Sequence, residues 1–71
     1  MGYKKYLSDK GFVYSEKKYA WIKALGWGRS IQVAMILKGL FEIKKDKDIV
    51  FSNFIDSFDE FKHVIDKVID N

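Results

Sequence analysis

Apolar and polar positions alternate with a period of two through the middle of the chain and switch to spacings of three and four near its end. From Lys18 to Ala24 the alternation puts Tyr19, Trp21 and Lys23 on one side of an extended strand, and Ala20, Ile22 and Ala24 on the other. Ile31, Val33, Met35 and Leu37 share one side of a second strand, whose richer face predicts core. Between these runs, Leu25–Ser30 carries two glycines one residue apart, which disfavours helix and predicts a hairpin turn presenting Trp27 and Arg29. Gly39 ends the second strand. Phe41 and Ile43 then alternate with Glu42 and Lys44, Lys45–Asp48 forms a charged turn, and Ile49-Val50-Phe51 opens a further strand reaching towards Phe54.

Upstream, Phe12-Val13-Tyr14 predicts a short edge strand before the polar turn Ser15-Glu16-Lys17. Met1–Lys10 holds Tyr3, Tyr6 and Leu7 among three lysines, and suits either a short turn of helix or a loosely attached arm. From Ser57 the period is helical. Phe58, Phe61, Ile65 and Val68 form a stripe that Val64 and Ile69 widen. Ser57-Phe58-Asp59-Glu60 fits a capping box, and Asp56, Asp59 and Glu60 complement the positive end of the helix dipole. The pattern predicts a helix over Ser57–Asp70.

These elements imply an α+β domain: an antiparallel meander of about four strands, followed by one C-terminal amphipathic helix packed on one sheet face. Ala20, Ile22 and Ala24, with Ile31, Val33 and Met35, are expected to meet that helix. Tyr19, Trp21, Lys23, Trp27 and Arg29 are expected to stay exposed as a binding surface. A competing all-helical reading, with helices over Ser15–Leu25 and Ser30–Lys44, is opposed by Gly39 in mid-run and by the β-branched content of residues 31–37.

Composition narrows the picture. A chain of 71 residues makes a single domain over residues 1–71, close to the lower limit for folding alone; six Phe, four Tyr and two Trp enlarge its core. With no cysteine there is no disulfide or thiolate metal site, which suits a cytoplasmic protein. No secretory signal or membrane-length apolar run is visible, so no membrane partner is expected. Residues 1–47 hold eleven Lys/Arg and four Asp/Glu, a net +7, whereas residues 48–71 hold two and six, a net −4. The sheet half is therefore basic and the helix acidic, which either solubilises the surface or attracts a polyanion.

Catalytic patterns are nearly absent, and the expectation is no enzyme and no cofactor. The single histidine, His63, falls on the polar side of the predicted helix. Asp46-x-Asp48 resembles the start of a calcium loop, but Phe51 and Ser57 stand where such a loop needs glycine and an acidic residue, so no metal is expected. No serine has a histidine placed to activate it, and Gly26-x-Gly28 leads into a strand rather than the helix a phosphate-binding loop requires. Aromatic planes interleaved with cations, by contrast, are what single-stranded nucleic acid needs: rings stack on bases and cations neutralise phosphates.

At this hairpin the chain resembles the PUR repeat of purine-rich-element-binding proteins, whose sheet-plus-helix plan is shared with Whirly and coactivator-type single-stranded DNA-binding domains. The resembling residues are Lys18 and Tyr19, Ile22-Lys23, Gly28-Arg29, Ile31-Gln32-Val33-Ala34, and Phe58-Asp59-Glu60-Phe61-Lys62 followed by Ile65 and Ile69, within residues 18–70. The resemblance implies a four-stranded antiparallel sheet backed by one helix and binding single-stranded DNA or RNA on its sheet face. It further implies a homodimer joined through helix and sheet edge, with Lys23 and Arg29 matching family cations. Ala24-Leu25-Gly26-Trp27 and Ser30 depart from the family's polar segment and aromatic position, so the fold is better supported than the binding. Two other functions fit the same residues. One is a protein-interaction module, such as a phage or mobile-element inhibitor docking Trp27 on a host protein; the other is a helical DNA-binding regulator.

Overall fold

Five strands in chain order form one antiparallel sheet, and two helices pack on one of its faces. The computed structural model describes residues 2–70. The elements are α1 (Tyr3–Asp9), β1 (Val13–Ser15), β2 (Ala20–Gly26), β3 (Arg29–Leu37), β4 (Leu40–Lys45), β5 (Asp48–Phe54) and α2 (Phe58–Asp70). The α+β meander with a C-terminal helix is thus the fold, with five strands where about four were expected. Residues 15–25 and 30–44 are not helical.

Residue chemistry explains each end. Ser57 Oγ accepts from the Glu60 backbone N–H at 3.1 Å, the N-cap contact that the Ser57–Glu60 spacing predicts. Phe61, Ile65 and Val68 are buried on the inner face of α2, with Phe58, Val64 and Ile69 packed beside them. The Leu25–Ser30 insert contracts to a two-residue turn, Trp27-Gly28, between the paired Gly26 and Arg29. Both central residues have positive φ (57° and 77°), the sign pattern that a type I′ turn requires to match strand twist.

Register decides which face each strand buries. Tyr14 pairs with Trp21, Trp21 with Val33, Val33 with Ile43, and Ile43 with Phe51, so these five side chains form one row beneath the helices. The neighbouring row, Val13–Ile22–Gln32–Lys44–Ile49, lies on the uncovered face. The face assignment expected for β2 is therefore reversed. Trp21 and Lys23 lie on the helix side with Ile31 and Val33, while Ile22 and Ala24 lie opposite. Ala20, although buried, is not part of the core cluster. Ile31 and Val33 are fully buried, as expected, but Met35 lies at the margin of the cover and is 46% exposed.

A single helix cannot roof this sheet. Strands ~4.8 Å apart make five of them ~19 Å across, against a helix diameter of ~10 Å. The remaining width is covered by α1 and by large aromatics. Residues 3–9 are thus a docked helix and not a loose arm: Leu7 is fully buried, and Tyr3 sits edge-on to Phe41 and Phe61 at 5.8 and 5.7 Å. Met1 lies outside the described residues.

One polar contact fastens α1 to α2. Tyr6 Oη donates to Asp66 Oδ1, and Lys10 Nζ lies 3.6 Å from the same oxygen and over the Tyr6 ring. Burial, then the hydrogen bond and charge of Asp66, push the Tyr6 hydroxyl up to about 12. The Tyr6 hydrogen bond, aided by the charges of Lys10 and His63, holds the Asp66 carboxyl below its ordinary value. Asp66 is ionised and Tyr6 neutral in the favoured state, so this contact stabilises the fold over the neutral range. It is lost in acid, as pH falls through the lowered Asp66 pKa, and in alkali, as pH rises from 10 through about 12. Tyr6→Phe is expected to lower stability by about 1 kcal/mol at pH 7, at the low end for a charged hydrogen bond because Asp66 is half exposed. Urea titrations at pH 3 and pH 7 check this: the difference between the two proteins should shrink at pH 3.

Candidate ligand-binding groove

At the margin where α1 meets β1–β3, the helix cover stops short and leaves an aromatic groove of about 430 Å³. Val33 and Phe41, both buried, form its floor. Tyr14 and Trp21 form one wall, stacked edge-on with centroids 5.5 Å apart. Tyr3 and Lys4 stand opposite on the first turn of α1, and Tyr19 and Met35 complete the rim. Three tyrosines and a tryptophan thus line one opening, with Tyr19 77% and Tyr14 45% exposed.

Tyr19 is the last residue of the four-residue loop between the paired Ser15 and Ala20. Its φ of 51° lies in the left-handed region, where a side chain bulkier than Asn or Asp is disfavoured by roughly 1–2 kcal/mol. A glycine or asparagine would close this loop with less backbone strain. Trp27 is alike: its φ is 57° and its side chain is 101% exposed, so its ring packs on nothing.

The five residues expected to form one surface separate into three groups. Tyr19 and Trp21 share the groove. Trp27 lies beyond the other end of β2, which at ~3.3 Å per residue is about 23 Å away. The two cations are engaged within the fold. Lys23 Nζ donates to the Lys10 carbonyl at 2.7 Å, placing a positive charge at the C-terminal end of α1. Gly11 makes room for it, since a Cβ there would sit 2.8 Å from Lys23 Nζ. Arg29 forms a fork with Asp46, Nε to Oδ1 at 3.2 Å and Nη2 to Oδ2 at 3.3 Å, tying the β2–β3 turn to the β4–β5 turn.

A different cation, Lys4, lines the groove. Lys17 and Lys18 precede Tyr19 in its loop, Lys18 lying on the uncovered face with Ala20, Gln32 and Ala34, and Lys38 occupies the β3–β4 turn beyond Met35. All four are exposed, and none forms an ion pair with a described residue. Glu16 is the one acidic residue in the adjoining loop. Sequence reasoning missed Tyr3, Tyr14, Lys4 and Met35 as site residues; the signal available for two of them was the basic, aromatic composition of residues 1–10. Among the described residues no group of three or more His, Cys, Asp or Glu could hold a metal, and no helix is long and apolar enough to cross a membrane.

No family model matches the chain, and neither does any curated protein or solved structure.

Proposed function

We propose that this protein is a non-enzymatic module that binds single-stranded nucleic acid, with bases stacked in the groove between Tyr3, Tyr14, Tyr19 and Trp21. The observation that carries this reading is a half-open slot of aromatic planes with the exposed Lys4 in its lining and the exposed Lys17 in the loop that ends at Tyr19, neither of them paired with a described carboxylate. Stacking on an aromatic ring is worth about 1–3 kcal/mol per base and tolerates any sequence. The lysines supply the phosphate contacts.

The test is an oligonucleotide titration followed by tryptophan fluorescence in Trp27→Phe, which leaves Trp21 as the sole indole. Quenching is expected with single-stranded and not with duplex DNA of equal length. With two phosphates neutralised, affinity should fall about 7-fold between 50 and 200 mM salt, at ~0.7 log units per contact for a single strand. Absence of quenching at 50 mM salt rules this reading out.

Trp27 favours a second reading, in which the hairpin tip docks into a pocket of a protein partner. A fully exposed indole held in a strained turn is the kind of side chain that anchors an interface. Trp27→Ala separates the two readings, because it should leave the groove's oligonucleotide affinity unchanged while abolishing capture of such a partner.

A further inference from the structure

The sheet's outer edge at β5 lies apart from the groove and shares no lining residue with it. β5 is seven residues long and pairs with β4 on one side only. In an antiparallel ladder alternate residues turn both backbone groups away from the neighbour, so the outer edge of β5 offers a row of N–H and C=O groups. Asn53 Oδ1 takes one of them, the Phe54 N–H, at 2.8 Å. The devices that usually blunt an edge are scarce here: residues 49–54 contain no Lys, Arg or Pro.

A bulge beside this edge opens onto a slot. Ile43 pairs with Phe51 and Lys44 with Ile49, which leaves Val50 as the extra residue. Val50 and Phe51, although consecutive, both line a slot of about 270 Å³ between β5 and α2, with Val64 and Val68 opposite. His63 and Lys67, one helical turn apart and both exposed, stand at its rim.

We infer that β5 accepts an extended peptide as a sixth strand, one apolar side chain of which fills the Val50–Val64 slot while a neighbouring acidic side chain meets Lys67 and His63. The unused edge groups specify an extended backbone. The slot specifies an apolar residue, and the Lys67 ammonium at its rim specifies the charge beside it.

Selection of random heptapeptides displayed on phage against the 71-residue chain should enrich sequences with an apolar residue flanked by Asp or Glu. A synthetic peptide of the enriched sequence should then bind in fluorescence anisotropy. Val50→Lys is expected to weaken it at least ~10-fold and Lys67→Glu about 3-fold, as for a central and a rim contact, with circular dichroism and oligonucleotide binding unchanged. N-methylation of alternate peptide amides should abolish binding in one register and spare it in the other, which only strand pairing produces. Three results overturn the inference: no enrichment, equal sensitivity to both N-methyl registers, or a wild-type dimer in light scattering that Val50→Lys converts to monomer. The last would assign the edge to a second copy of this chain.

Discussion

Phe61→Ala is expected to remove about 3–5 kcal/mol of stability, the range for deleting a buried aromatic and leaving a cavity. Phe61 is fully buried at the meeting point of both helices and the sheet, with Phe41, Tyr3, Tyr6 and Phe58 at centroid distances of 5.1, 5.7, 6.5 and 6.5 Å. No other described side chain joins as many rings. At roughly 0.05–0.15 kcal/mol per residue, a chain of this length has only about 4–11 kcal/mol in total. The substitution therefore takes about a quarter of the stability at least, and at the upper end all of it. Urea unfolding followed by far-ultraviolet circular dichroism measures this directly. Phe58→Ala, at a half-buried position, should cost clearly less. A loss below about 1 kcal/mol for Phe61→Ala would mean that the α1–α2–sheet junction can collapse around the gap, contrary to the packing described.

The same junction shows what a sequence pattern can and cannot carry. Alternation identified the strands and the 3–4 spacing identified α2, because both periods are local properties of the backbone. Alternation cannot say which of two faces is buried. For β2, Ala20, Ile22 and Ala24 looked like core and Trp21 like surface, yet the pairing of Trp21 with Val33 fixes the opposite orientation. Only the partner strand holds that information. The short helix α1 was ambiguous for a related reason: seven residues do not hold a helix by propensity, and its stability comes from burying Leu7 and Tyr3 against elements far along the chain.

Site legibility follows the same division. The aromatic character at Tyr19 and Trp21 could be read directly, and the two do share a groove. The roles of Lys23 and Arg29 could not, since their partners, Lys10 and Asp46, lie 13 and 17 residues away and are brought close by folding alone. Tyr3 joins the groove only because α1 docks. Cations that looked available for a ligand turn out to hold α1 and the two turns in place, while Lys4, Lys17, Lys18 and Lys38 are unpaired with any described carboxylate.

Tyr19→Asn is expected to move stability and affinity in opposite directions. Asparagine tolerates the left-handed backbone that the tyrosine occupies at φ 51°, so relief of that strain should stabilise the fold by about 1 kcal/mol. For a domain of this size that is a rise in melting temperature of about 4–8 °C. The ring is 77% exposed, so its removal takes little buried area from the core. Binding of a single-stranded oligonucleotide should meanwhile weaken by about 5- to 150-fold, the equivalent of losing one stacked base worth 1–3 kcal/mol. Tyr19→Phe keeps both the ring and the strain and should leave both quantities near the wild-type values. Differential scanning calorimetry and an anisotropy titration on the same three proteins give both numbers. If asparagine lowers the melting temperature, Tyr19 is serving the loop's own packing. If affinity does not change, the groove is not where bases stack. A gain in stability together with a loss of binding means that the loop tolerates a strained aromatic residue because of what that residue holds.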